Sequence, residues 1–129
     1  MSYGTTVVVD RPFSDVVAAL RIALADQGFG VLTEIDVQAT MKAKLGADLE
    51  PYLILGACNP PLAYRALQAE ASVGLLLPCN VIVRQTESGT VVEAIDPMSM
   101  VSISGNQALQ PVVDEVADRL QAVLAKITG

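Results

Sequence analysis

The stretch from Cys79 to Ile95, Cys-Asn-Val-Ile-Val-Arg-Gln-Thr-Glu-Ser-Gly-Thr-Val-Val-Glu-Ala-Ile, decides the fold. Two runs rich in β-branched residues, Cys79 to Gln85 and Thr90 to Ile95, flank the turn Glu87-Ser88-Gly89. Such side chains suit a pleated, half-buried surface, and a short polar segment ending in glycine lets the chain reverse. The stretch reads as a β-hairpin, which commits at least part of the sheet to antiparallel pairing.

Working outward, Tyr52 to Ala57 is a continuous apolar run, as in a strand buried on both faces. Between it and the hairpin, Asn59-Pro60-Pro61 opens a helix, because first-turn amides have no intrahelical partner for proline to remove. Leu62 and Ala66, with Ala69 or Leu67, supply the inner face of that helix. Further upstream, Phe29 to Ile35 and Thr5 to Val9 are β-branched strands. The helix between those two opens at Pro12, Ser14 and Asp15, carries the stripe Val16, Val17, Leu20 and Leu24, and closes on Gly28. Asp36 to Gly46 alternates like a strand but also places Val37, Met41 and Leu45 four apart. Its helix formers, with Asp36 to cap it and Gly46 to stop it, favour a short helix. Downstream of the hairpin, Asp96-Pro97 is a strand-ending turn, and Ser99, Ser102 and Ser104 alternate as on a short strand or edge loop. From Asn106, Leu109, Val113, Val116, Leu120, Leu124 and Ile127 recur every three or four residues, a long amphipathic helix with Pro111 in its first turns.

The order is strand, helix, four strands with two short helices inserted, then a closing helix. Strands and helices do not alternate regularly, which disfavours a doubly wound parallel sheet. The expected fold is a single α+β domain over residues 1–129, an antiparallel sheet backed by its first and last helices. This is the TATA-binding-protein-like order, a unit that often pairs.

The composition narrows the function. The chain has 129 residues, enough for one domain to bury a sizeable core without disulfides or metals. With 52% hydrophobic and 17% charged residues it is no disordered chain, and the apolar excess predicts a homodimer. The net charge of -6 and the scattered basic residues exclude nucleic acid and anionic membrane as partners. No leader or long apolar span is visible, so the expected location is cytoplasmic. There is no histidine, which removes Ser-His-Asp and Cys-His catalysis and the common His-containing zinc sites.

The remaining chemistry gathers at two similar stretches, Gly56-Ala57-Cys58-Asn59-Pro60 and Leu76-Leu77-Pro78-Cys79-Asn80, each placing a Cys-Asn pair at a strand end. Cys58 precedes a helix start, where free amides and the positive dipole end favour a thiolate. If their strands are neighbours, Cys58 and Cys79 approach each other and form a reversible disulfide, or half of a four-thiolate metal site shared across a dimer axis. Against this, free cysteine is often a small buried hydrophobe, and the spacing is not Cys-x-x-Cys. Asn59 and Asn80 read first as a helix cap and a strand-end bond, and second as ligand contacts. Glu93, in the middle of its strand, reads first as an outward polar residue. Facing inward, its pKa would rise and it would serve as an acid or base.

Together with Gly28-Phe29 after the first helix and Asp96-Pro97 after the hairpin, the Leu-Gly-Ala-Cys-Asn-Pro and Leu-Leu-Pro-Cys-Asn stretches resemble a bacterial and archaeal family, "domain of unknown function 302". The resemblance covers nearly the whole chain and implies the fold and dimerisation, but no activity and no cofactor. Three functions stay open. The first is a non-enzymatic dimeric binding or structural module for a small apolar or thiol-reactive ligand. The second is a redox or metal module using Cys58 and Cys79. The third, least supported without a histidine, is an enzyme with a Cys58 nucleophile or a Glu93 base.

Overall fold

The computed structural model describes residues 3–128. Five strands, β1 (Gly4–Val9), β2 (Gly30–Asp36), β3 (Tyr52–Cys58), β4 (Cys79–Thr86) and β5 (Gly89–Ile95), form one sheet in the order β1-β5-β4-β3-β2. Every neighbouring pair is antiparallel, as the hairpin requires. The hairpin strand β4 lies at the centre of the sheet. Thr86 faces Gly89 in the register, so Glu87 and Ser88 make a two-residue loop.

Helices α1 (Phe13–Asp26) and α5 (Gln110–Thr128) pack against each other and against one face of the sheet. Val16, Leu20 and Leu24 of α1 and Val113, Val116, Leu120, Leu124 and Ile127 of α5 are buried, as their spacing predicts. They meet Leu55, Val81, Val83, Val92 and Ala94 from the sheet in one core. A salt bridge between Arg21 on α1 and Glu34 on β2, and another between Lys126 and Asp26, tie the helices at the rim.

Three shorter helices fill the connections. The segment after β2 is helical: α2 (Val37–Leu45) is capped by the Asp36 carboxylate, which accepts from the Ala39 amide at 2.9 Å, and stops at Gly46 with φ 66°. It buries no residue. Helix α3 (Pro60–Ala69) starts on Asn59 and buries Leu62 and Ala66, whereas Leu67 is exposed. A 3-10 turn at Ala71–Leu76 leads to β4.

Two local expectations are corrected. The serine segment is neither strand nor edge loop but a further short helix, α4 (Met98–Ser104), between β5 and α5; the two helices inserted among the strands are α2 and α3, as expected. The Asp96 carboxylate accepts from the Met98 amide at 2.9 Å, Gly105 stops the helix at φ 69°, and Met100 and Val101 are buried. Ser102 and Ser104, two apart, would share one strand face but lie about 200° apart on a helix, and the burial of Met100 and Val101 favours the helix. At α1, the cap position is Pro12 with no side-chain hydrogen bond, and Ser14 lies inside the first turn.

Candidate functional site

Side chains alternate across a strand, so the register assigns each strand residue to a face. One face carries Val81, Val83, Val92 and Ala94 into the core. The other carries Thr6 and Val8 on β1, Val91, Glu93 and Ile95 on β5, Asn80, Ile82 and Arg84 on β4, Tyr52 and Ile54 on β3, and Thr33 and Ile35 on β2. Val91 is buried yet stands apart from the core cluster, in keeping with its place on this second face. A groove of about 710 Å³ opens on this face, lined by Tyr3, Thr6, Tyr52, Asn80, Ile82, Arg84, Glu93 and Ile95.

A polar cluster is built into the groove. Glu93 faces Thr6 on β1 and Ile82 on β4 in the register, so it stands between both neighbours. Its two oxygens are both engaged: Thr6 Oγ1 donates to Oε2 at 3.0 Å and Arg84 Nε donates to Oε1 at 2.9 Å. Glu93 therefore points away from the core, and the inward acid-base reading is overturned. Among the described residues, no acceptor engages the terminal Nη1 and Nη2 of Arg84. Tyr52 stands directly opposite Arg84 on β3.

The cysteines sit apart from the groove, where β3 ends and β4 begins. Ala57 faces Cys79 in the register, so Cys58 lies one residue beyond on the neighbouring strand. Both are free thiols, Cys58 half-buried and Cys79 buried. They line one small cavity of about 20 Å³ with Phe29, Leu62, Met100 and Val116. Burial first, and the neighbouring Cys58 second, push the Cys79 thiol up to about 11. A thiol so shifted stays protonated at neutral pH and is a poor nucleophile and metal ligand. Among the described residues, no three or more Cys, Asp or Glu side chains gather where they could hold a metal ion.

The two asparagines separate. Asn59 is buried, accepts from the Leu62 amide at 3.4 Å at the start of α3, and its Nδ2 donates to the Gln27 carbonyl at 3.4 Å. Arg119 Nη1 donates to the same carbonyl at 3.0 Å, so the end of α1, the start of α3 and the middle of α5 meet at one acceptor. Asn80 is exposed on the groove, and no strand-end bond of its side chain exists among the described residues. Of the candidates from the sequence, the structure thus gathers Asn80 and Glu93 in the groove, and Cys58, Asn59 and Cys79 around the small cavity. Arg84, Tyr52 and Ile82 were missed, although strand alternation sets Ile82 and Arg84 opposite the core residues Val81 and Val83.

The fold and this open-faced sheet define an α+β domain with one helix-covered face and one groove-bearing face. The chain belongs to the family described as "Domain of unknown function DUF302", whose profile matches residues 5–127. It is similar to a solved structure, the uncharacterised conserved DUF302 protein from Bacillus stearothermophilus, at 30% identity. That likeness covers 98% of this chain and 99% of the other, with a TM-score of 0.91. No curated protein matches. No described helix is long and apolar enough to cross a membrane.

Proposed function

We propose that this chain is a non-enzymatic binding module that works as a homodimer and holds a small, largely apolar ligand in the groove of its open sheet face. The observation that carries the reading is the contrast between the two hollows. The cavity beside the thiols, at about 20 Å³, has room for about one water molecule. The groove, at about 710 Å³, lies in the range of roughly 300–1,000 Å³ usual for small-molecule sites.

A second copy is the partner that the charge distribution supports. The chain carries -6 overall, so most of its surface repels another copy. On the open face the charged strand residues are Arg84 and Glu93, which neutralise each other. Val8, at 53% exposure, and Ile35, at 48%, extend the apolar area beside them. Two acidic copies meet at least electrostatic cost across this face, and the pairing roofs the groove.

Sedimentation equilibrium together with a titration of 15N-labelled protein with 1-octanol tests the reading. The expected result is a dimer, with shift changes confined to the amides of 80–84 and 93–95. Ile82→Glu should yield a folded monomer with octanol binding lost. Changes centred on Cys58 and Cys79, with the open face unmoved, would overturn the reading.

The shared cavity favours one second reading, a reversible disulfide between Cys58 and Cys79. Free-thiol titration before and after mild oxidation decides it: joint loss of both thiols, restored by reductant, supports the pair. Thiols that react only on unfolding leave them as core packing.

A further inference from the structure

We infer that the groove is a carboxylate site, with Arg84 as the anion-binding residue and an unbranched apolar tail of about eight to ten carbons running along β4 over Ile82 toward Asn80. The inference rests on the groove being the working site and names the chemistry that occupies it.

A free arginine side chain samples many rotamers, and fixing it on binding costs entropy. Here Glu93 grips Nε at 2.9 Å, and Thr6 in turn holds the other Glu93 oxygen at 3.0 Å. The clamp uses the Nε edge of the guanidinium and leaves the Nη1 and Nη2 hydrogens without an acceptor among the described residues. That pair of terminal nitrogens is the fork that a carboxylate engages with two parallel hydrogen bonds. Arg84 is 37% and Glu93 29% exposed, so the fork is partly withdrawn from water. Glu93 offsets the Arg84 charge, so a ligand carboxylate is held there by the two Nη hydrogen bonds rather than by net charge.

The rest of the groove selects the body of the ligand. Asn80, Ile82 and Arg84 are alternate residues of one straight strand, so the line from Arg84 to Asn80 spans about 13 Å at roughly 3.3 Å per residue. Ile82 lies in the middle of that line, Ile95 on the next strand, and Tyr52 beside Arg84. Apart from the Arg84–Glu93–Thr6 cluster, the polar side chain on the line is Asn80, at its far end. An anionic head at Arg84 with an alkyl tail over Ile82 matches that order. A dianion or a sugar phosphate does not, since the groove offers one cation, with the Glu93 carboxylate beside it.

The test compares octanoate with 1-octanol on the full chain by calorimetric titration and by 15N shift mapping. Octanoate should bind about tenfold or more tightly than octanol, as expected for hydrogen bonds to a charged group. Arg84→Met should abolish that ratio, octanoate and octanol then binding the variant alike, and Arg84→Lys should retain only part of it. Should Arg84→Met fail to fold, the ratio in the native protein and in Arg84→Lys still decides. Equal binding of octanoate and octanol in the groove overturns the carboxylate assignment but leaves the apolar groove standing. Failure of both to bind there overturns the assignment and the binding-module reading together.

Discussion

Cys79 packs at 6% exposure between the sheet and α3, and burial keeps its proton on. Its thiol is pushed up to about 11 from an ordinary value of 9.0, with Cys58 adding to the effect. Because the folded pKa lies above the unfolded one, the unfolded chain ionises first as pH rises, and stability falls across that interval. Stability from this group is fully present below pH 9 and is lost on the way to about 11, a total on the order of 3 kcal/mol at about 1.4 kcal/mol per unit. Urea unfolding of the native protein and Cys79→Ala at pH 8 and pH 10.5 should therefore show a smaller loss with pH in the variant. Equal losses would mean that the thiol ionises alike in both states. The same burial predicts that thiol reagents at pH 7.5 modify Cys58 well before Cys79.

At the scale of elements, the β2–β3 pair is shaped around Gly56. A β-bulge between Val31 and Thr33 shifts the register and sets Thr33 opposite Gly56. A side chain at Gly56 would run into Thr33 Oγ1 and lie 2.7 Å from Pro78 Cγ, a rigid ring atom. The glycine is there for close approach rather than for backbone freedom, since its φ is not in the left-handed region. Gly56→Ala should cost about 1–3 kcal/mol, the range for overpacking a filled site, read as a lower urea midpoint with unchanged slope. No loss would mean that the bulge relaxes to make room. The hairpin is tied in by another buried group: Thr90 is fully buried and its Oγ1 donates to the Arg11 carbonyl at 2.8 Å, linking β5 to the turn before α1.

For the whole molecule, the balance between a strongly acidic surface and one near-neutral face makes association depend on salt. Raising NaCl from about 0.05 to about 0.5 M shortens the screening length from roughly 14 to roughly 4 Å and weakens the repulsion between copies. The homodimer dissociation constant, measured by sedimentation equilibrium, should fall several-fold over that range. A rise with salt would mean that complementary charges hold the copies together, which the open face, with its self-neutralised Arg84–Glu93 pair, does not supply.

Where an element is specified by periodicity over many residues, the sequence alone determined it. The stripe of α5 and the hairpin at 79–95 were legible because each is set by local spacing, whereas Asp36 to Gly46 carried both a strand alternation and a helix spacing, and only the structure settled it as a helix. Short elements were less legible. Ser102 and Ser104 are spaced as on a strand, and the burial of Met100 and Val101 makes that segment helical. The site divides the same way. The sequence singled out Asn80 and Glu93 and read Glu93 as outward, but not Ile82 or Arg84, which strand alternation sets on the same face as Asn80. Only the tertiary structure decided that this face of β4 and the Glu93 face of β5 are neighbours, that Glu93 takes both Arg84 and Thr6, and that the cysteines have a space of about 20 Å³ while the groove has about 710 Å³. Pairing partners and hollows are relations between segments far apart in the chain, and no local spacing encodes them.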